Sequence, residues 1–194
     1  MKKQEDLCMR VIAGNAKGRI LKAPPGLDTR PVTDFIKEAI FNVIGPYLNG
    51  KTFLDLFSGS GSMGIEAKSR GASKVVLVEN DHRAIKVIRQ NLQNCNFDQE
   101  VLVVKGDVFK VVSQFTKEQF DYVYIDPPFK RLDYYDKLVK DTAVLTGTTG
   151  TIIIRSPKNY EMVVDPESPL TVLKRYSYGE SVVNYLVRKM ETQI

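Results

Sequence analysis

The sequence predicts an α/β fold, a doubly wound and mostly parallel sheet with a small β-hairpin ahead of it. Three observations carry this. Five apolar runs of strand length, at 52–57, 74–79, 101–104, 120–125 and 151–154, alternate with helix-like segments, which is the rhythm of repeated βαβ units. Runs such as Val75-Val-Leu-Val78 are almost continuous rather than alternating, as parallel strands covered on both faces require. The first run ends in Asp55-Leu-Phe-Ser-Gly-Ser-Gly-Ser-Met-Gly64, a strand end, a glycine-rich turn and a helix start. Glycine lets backbone approach a ligand closely, and unpaired N–H groups at a helix start favour a nearby anionic group. The literal Gly59-x-Gly61-x-x-Gly64 also fits the dinucleotide fingerprint; alone it indicates only a small-molecule edge.

The chain's 194 residues suit one domain, expected over 9–194, with residues 1–8 a flexible extension ahead of a second start at Met9. Apolar residues make up 43% and charged residues 26%, an ordinary globular balance. No apolar run reaches membrane-spanning length, and the start lacks the apolar core of a signal peptide, so a cytoplasmic monomer is the expectation. A net charge of +5 favours an acidic partner such as nucleic acid. Cys8 and Cys95 lack metal-ligand spacing and read as free thiols. His82 is the only histidine, which argues against a His-based triad or a multi-His metal site, and no metal is expected.

In chain order, Met9–Gly14 and Arg19–Lys22 read as short strands around Asn15-Ala-Lys-Gly18, forming a hairpin region over 9–30. Arg10, Lys17, Arg19, Lys22 and Arg30 make it basic; a solvated hairpin and an RNA contact surface are equally open readings. Thr33 or Asp34 can cap a helix that buries Ile36, Ile40, Phe41, Ile44 and Leu48 on one face. A helix with Ile85, Ile88 and Leu92 on one side follows the second strand. Val108 to Phe115 and Tyr134 to Leu145 are expected to be helical. Leu170 to Tyr178, a Gly179-Glu180 turn and Ser181 to Arg188 read as a hairpin closing the sheet.

Four strands end in, or just before, an acid: Asp55, Glu79, Asp107 and Asp126. In a parallel sheet these converge on one crevice. Glu79 suits hydrogen bonds from ribose hydroxyls, and Asp107 with Val108 offers a polar edge and an apolar face for adenine; capped helix starts are the plain alternative. Asp126-Pro127-Pro128-Phe129 stiffens a loop and withholds two N–H donors, so its carbonyls and the Asp126 carboxylate are expected to point outward as acceptors. With the flat face of Phe129, this suits a planar base bearing an exocyclic amine. Such an amine is a poor nucleophile because its lone pair is delocalised, and acceptors on its N–H bonds favour the reactive pyramidal form.

The glycine loop, Glu79 one strand later and Asp126-Pro-Pro-Phe129 together resemble class I S-adenosylmethionine-dependent methyltransferases acting on amino groups. Arg10-Val-Ile-Ala-Gly14, Lys17-Gly-Arg-Ile-Leu21, Arg30-Pro-Val-Thr-Asp34 with Lys37-Glu-Ala-Ile-Phe41, and Gly64-Ile-Glu-Ala67 with Ser69-Arg-Gly-Ala72 resemble the bacterial small-subunit ribosomal-RNA guanine-N2 methyltransferase D (RsmD) family, from Met9 onward. The resemblance implies a Rossmann-like, seven-stranded sheet with an antiparallel last strand. It implies S-adenosylmethionine as donor and a guanine amine of ribosomal RNA, within a small-subunit particle, as acceptor. By position it implies that Asp55, Phe57, Gly59 and Gly61 line the methionine end, Glu79 takes the ribose, and Asn80, Asp107 and Val108 hold the adenine. Asp126, Pro127, Pro128 and Phe129 then hold the target base, and Arg30 and Thr33 help close the cofactor site. Val32, Phe35, Ser58 and Ser60 depart mildly from the pattern.

The rivals are an adenine-N6 methyltransferase of DNA or RNA, a protein-glutamine methyltransferase, which more often carries Asn at position 126, a NAD-binding oxidoreductase, and a non-catalytic RNA-binding module of the same fold.

Overall fold

An inner strand of the sheet, β3 (Thr52–Leu56), is buried at every residue after Thr52 because it has strands on both sides and helices on both faces. The computed structural model describes residues 9–25, 32–115, 120–140 and 150–189; Arg30, residues 1–8 and the predicted helical stretch 141–145 lie outside them. Two-residue strands β1 (Met9–Arg10) and β2 (Ile20–Leu21) pair antiparallel. Then come α1 (Asp34–Ile44), β3, α2 (Ser62–Ser69), β4 (Lys74–Glu79), α3 (His82–Asn94), β5 (Val101–Lys105), the single turn α4 (Val108–Val111) running into a 3-10 turn, β6 (Tyr122–Ile125), α5 (Leu132–Lys140), β7 (Thr151–Pro157), β8 (Leu170–Tyr178) and β9 (Ser181–Arg188).

The seven strands lie in the order β5-β4-β3-β6-β7-β9-β8. The first five in this order run parallel, while β9 is antiparallel to both β7 and β8. The chain leaves β3 toward β4 and later returns to β6 on its other side, so a topological switch point lies between β3 and β6. Ligands bind beyond the C-terminal strand ends at such a point. The doubly wound, Rossmann-like class expected from the sequence is the one observed, including the antiparallel last strand.

Strand residues alternate between two cores. Phe53, Leu77, Tyr124, Ile153 and Tyr185 pack beneath α1, α2 and α3. Leu54, Leu56, Val78, Ile125 and Ile154 pack against α4 and α5. One expectation fails at the margin: β5 was predicted to be covered on both faces, yet it is the edge strand and leaves Leu102 54% exposed. Among the described residues no helix is long and apolar enough to cross a membrane.

α1 begins where the Thr33 side chain accepts the Ile36 N–H, and it ends at Ile44; Leu48, though fully buried, lies past its end. α2 starts at Gly61, whose left-handed φ of 79° leaves no side chain capping the helix. It then lies so close to β4 that a Cβ on Gly64 would stand 2.1 Å from a Leu77 methyl.

A buried ionic cluster fixes the N-terminal segment to this framework. Glu66, fully buried on α2, accepts the N–H groups of Ile12 and Ala13 at 2.8 and 3.0 Å and the Arg70 Nε at 2.8 Å. Lys37 on α1 stands 3.5 Å from the same carboxylate and donates to the Arg10 carbonyl. Ser69 Oγ donates to the Ala13 carbonyl and accepts the Ala16 N–H. Asn91 of α3 bonds both the N–H and the carbonyl of Lys22 and also the Ser60 carbonyl of the glycine loop. The basic segment is therefore held against the loop by groups out of water. Glu66→Ala would leave Lys37 and Arg70 buried without their counter-charge, and a loss of about 3–5 kcal/mol is expected for breaking such a pair. Urea denaturation is the check, with a lower midpoint expected for the variant.

Candidate active site

The register sets the site. Leu56 pairs with Val78 on one side and Ile125 on the other, so the next residues, Phe57, Glu79 and Asp126, come off the sheet edge at one level. Phe57 takes a φ of 66°, a left-handed conformation rare outside glycine and concentrated at functional sites. The chain turns there into the loop, and Ser58 Oγ donates to the Asp55 carbonyl across the bend.

A cleft of about 620 Å³ opens between the ends of β4, β5 and β6. Phe57, Glu79, Asn80, Asp107 and Val108 line it, as does Pro128 of the Asp126–Phe129 loop. Glu79 binds the surrounding backbone: one oxygen accepts the Gly59 N–H at 2.8 Å, the other the N–H groups of Asn80 and Asp81. Gly59 is thus drawn to the cleft wall by Glu79. Asp107 caps α4 by accepting the Phe109 N–H. Of the residues expected at the site, Asp55, Gly59, Gly61, Thr33, Asp126, Pro127 and Phe129 are not in the lining; Asp55 is buried in β3, and Thr33 serves as the cap of α1.

Sequence reasoning missed the cleft's aromatic wall. Phe109 and Tyr134 line it, with ring centroids 5.1 Å apart, and Phe57 stands 5.8 Å from Tyr134. Arg131 stacks over Tyr134 at 3.9 Å. These contacts join α4 and α5, segments read from the sequence only as helices. Asp81, His82 and Arg83 also border the cleft.

Asp126 sits in a second set of contacts. Arg155, buried at the end of β7, places Nη1 3.2 and 2.9 Å from its two oxygens, and the Tyr124 hydroxyl donates to one of them at 3.1 Å. The same guanidinium lies 4.6 Å over the Phe129 ring, and its Nε donates to Ser181 Oγ. Neither Arg155 nor Tyr124 was singled out from the sequence. The available signal was an arginine closing the apolar run Thr151–Ile154 at the edge where the acids converge. The proline carbonyls differ from expectation: Pro127 accepts the Tyr135 hydroxyl at 3.1 Å and Pro128 accepts the Arg131 N–H at 2.8 Å. Each proline carbonyl takes one hydrogen bond as the loop closes onto α5, and the Asp126 carboxylate, expected to point outward, is instead mostly buried against Arg155 and Tyr124.

Burial pushes the Asp55 carboxyl well above the usual carboxylate range; the Gly64 N–H opposes this, and the nearby Asp126 and Glu79 add to it. One Asp55 oxygen has no hydrogen-bond partner. Burial also raises Asp126, with Arg155 and Tyr124 pulling the other way. An orphaned acceptor among clustered acids, in a chain of net charge +5, fits a ligand that brings a cation. The sign for stability follows. A carboxyl raised in the folded state holds a proton that the unfolded chain has released, so stability falls as pH rises from the ordinary carboxylate range to the raised value. Asp55→Asn is therefore expected to raise the thermal midpoint at neutral pH and flatten its fall with pH, while weakening cofactor binding; calorimetric scans across pH and a cofactor titration check both.

Of the residues expected to contact RNA, Arg10, Lys17, Arg19 and Lys22 are all exposed on the clamped segment; Arg10 pairs with Asp34 at 2.9 Å.

A family model described as "Conserved hypothetical protein 95" matches residues 9–187. "Ribosomal RNA small subunit methyltransferase D" of Haemophilus influenzae is 37% identical over 123 residues, 62% of this chain and 64% of that one. The chain belongs to the RsmD family. YlbH of Bacillus subtilis is 36% identical over 88% of this chain and 94% of its own length. Among solved structures, yhhF of Escherichia coli superposes with a TM-score of 0.78 at 26% identity, covering 94% of this chain and 99% of that one. The family match runs from residue 9 to 187, hairpin region included. A more distant fold relative, SMU.776, was solved with S-adenosylhomocysteine at 19% identity and a TM-score of 0.63, a likeness of fold.

Proposed function

We propose that the protein is an S-adenosylmethionine-dependent RNA methyltransferase, and that its product is N2-methylguanine in small-subunit ribosomal RNA. The observation that supports this most is the shared rim. Pro128 lines the cleft, so the loop that would hold the base is one wall of the cavity that would hold the donor.

Glu79, Asn80, Asp107 and Val108 are the residues to hold the nucleoside end, with Phe57, Gly59, Gly61 and the orphaned Asp55 toward the methionine end. Thr33 is at most an outer contributor. S-adenosylmethionine supplies, when bound, an electrophilic methyl group on a sulfonium. The chain's own residues do the positioning, which is the main source of rate in such a site. Arg155 opposes the effect of burial and favours the ionised Asp126, whose oxygens accept from the guanine amine and turn its lone pair out of the ring plane. Phe129, backed by the Arg155 guanidinium, offers a face on which the purine stacks. The amine proton passes to Asp126 or to water once the nitrogen has bonded, so no strong base is needed. A base paired in a helix must leave its stack to reach the loop. Arg10, Lys17, Arg19 and Lys22 supply sequence-independent attraction for phosphates, which adds affinity without choosing the nucleotide.

The test is transfer from methyl-labelled S-adenosylmethionine to small-subunit particles and naked ribosomal RNA from a strain lacking the modification, followed by nucleoside analysis. Label in N2-methylguanine is expected. Label in N6-methyladenine replaces guanine with the rival base, and label in protein rejects the RNA reading.

A further inference from the structure

Beyond the Asp126–Phe129 loop, three rings of α1 and β8 form a row, the outer two exposed and Tyr178 between them half-buried. Lys174, Tyr176 and Tyr178 of β8 pair with Tyr185, Val183 and Ser181 of β9. They therefore share the sheet face on which Tyr185 and Val183 join the α1 core. Tyr178 meets Phe35 of α1 edge-on at 5.9 Å, and Tyr176 lies 6.4 Å from Tyr178. Phe35 is 68% and Tyr176 40% exposed, unusual for rings placed so close together. The row is continuous with the site: Ser181, opposite Tyr178, bonds Arg155, which bonds Asp126. It is flanked by cations, Lys174 at one end and Arg10, paired with Asp34 beside Phe35, at the other.

We propose that Phe35, Tyr178 and Tyr176 form a stacking platform for the single-stranded nucleotides that flank the target base. Drawing a base into the Asp126 loop unstacks its neighbours, and those neighbours need a substitute surface. Aromatic faces provide one whatever the base, and adjacent cations follow the backbone. Lys174, with Arg10 available if it exchanges Asp34 for a phosphate, suits a polyanion. This surface rests on the reading of the site as a base methyltransferase, but its binding can be measured without turnover.

The experiment is fluorescence anisotropy with a labelled, unstructured RNA oligonucleotide of about ten nucleotides, a length within the range a stacking groove contacts. Phe35→Ala and Tyr176→Ala are each expected to weaken binding about tenfold, the scale of one lost stacked base, and Phe35→Trp to retain it. Lys174→Gln is expected to lower the salt slope by about 0.7, as for one lost phosphate contact on a single strand. Tyr47→Ala is the control: Tyr47 is exposed but precedes β3, at the opposite sheet edge, and no change is expected. Because the substituted rings are exposed, thermal midpoints should stay level. Unchanged binding in both ring variants overturns the proposal. So does a wild-type dimer that the ring variants turn into monomers, since the surface then covers a second copy. Ring-dependent binding by a protein that methylates no base leaves the platform standing and removes the enzyme reading. Methylation with ring variants unchanged in both affinity and KM for RNA does the reverse.

Discussion

Asp126→Ala is expected to lower methyl transfer by about 10³-fold, the scale of removing one preorganised hydrogen-bonding group from the reacting centre, while S-adenosylmethionine still binds. The separation of effects follows from the layout. Asp126 stands just past β6 with its contacts directed to Arg155 and Tyr124, whereas the acids we assign to the nucleoside, Glu79 and Asp107, lie at the ends of β4 and β5. Alanine removes the loop's only charged acceptor, and the Pro127 and Pro128 carbonyls, each already turned to a donor of α5 or its lead-in, are neutral and weaker substitutes. It also strands a buried guanidinium, so cofactor titration serves as the check that the variant is folded. Asp126→Asn keeps an oxygen acceptor and is expected to retain part of the rate. An alanine variant as active as the parent would refute the assigned role.

Arg155→Met should have the second-largest effect, and one that depends on pH. Arg155 is the main group opposing the rise of the Asp126 carboxyl that burial causes. Without it the acid climbs further and is more protonated near neutrality, so the low-pH limb of the rate profile should move to higher pH. Stability changes with a defined sign. In the variant the folded state keeps a proton that the unfolded chain gives up, over a wider pH window than in the parent. The deficit relative to the parent is therefore small in the ordinary carboxylate range and grows as pH rises toward the raised value. Near neutral pH it should approach the roughly 3–5 kcal/mol of a broken buried pair. Phe129 also loses the cation over its face, so KM for RNA should rise. Arg155→Lys should restore part of the pH profile but not the full hold, because one ammonium cannot reproduce a guanidinium that bonds Asp126 through Nη1 and Ser181 Oγ through Nε. Denaturation at several pH values, together with rate profiles for the three proteins, checks each point.

The parts of the molecule that were readable in advance were those written in short-range pattern. Continuous apolar runs gave the parallel strands, the glycine turn gave the start of α2, and the Gly179-Glu180 turn gave the closing hairpin with its actual bounds. The placement of Glu79, Asp107 and Asp126 at one edge followed once the strands were taken as parallel. What escaped depends on contacts between distant segments. Arg155 lies 29 residues from Asp126, and no local period marks it as a partner. Glu66 reads as an ordinary helix acid until its backbone donors, 53 and 54 residues away, are seen. Tyr134 and Phe109 look like amphipathic helix residues, and only their packing across Phe57 makes them a wall. The exposure of β5 reflects its place at the end of the strand order, which hydropathy does not encode.

A crystal structure of the protein with S-adenosylhomocysteine bound tests the arrangement most directly. The ligand is expected between Glu79 and the Asp107–Val108 pair, with its sulfur turned toward Asp126 and the Pro128 wall. Density for it at another surface, or in this cleft with the sulfur facing away from Asp126, would contradict the shared rim on which base methylation depends.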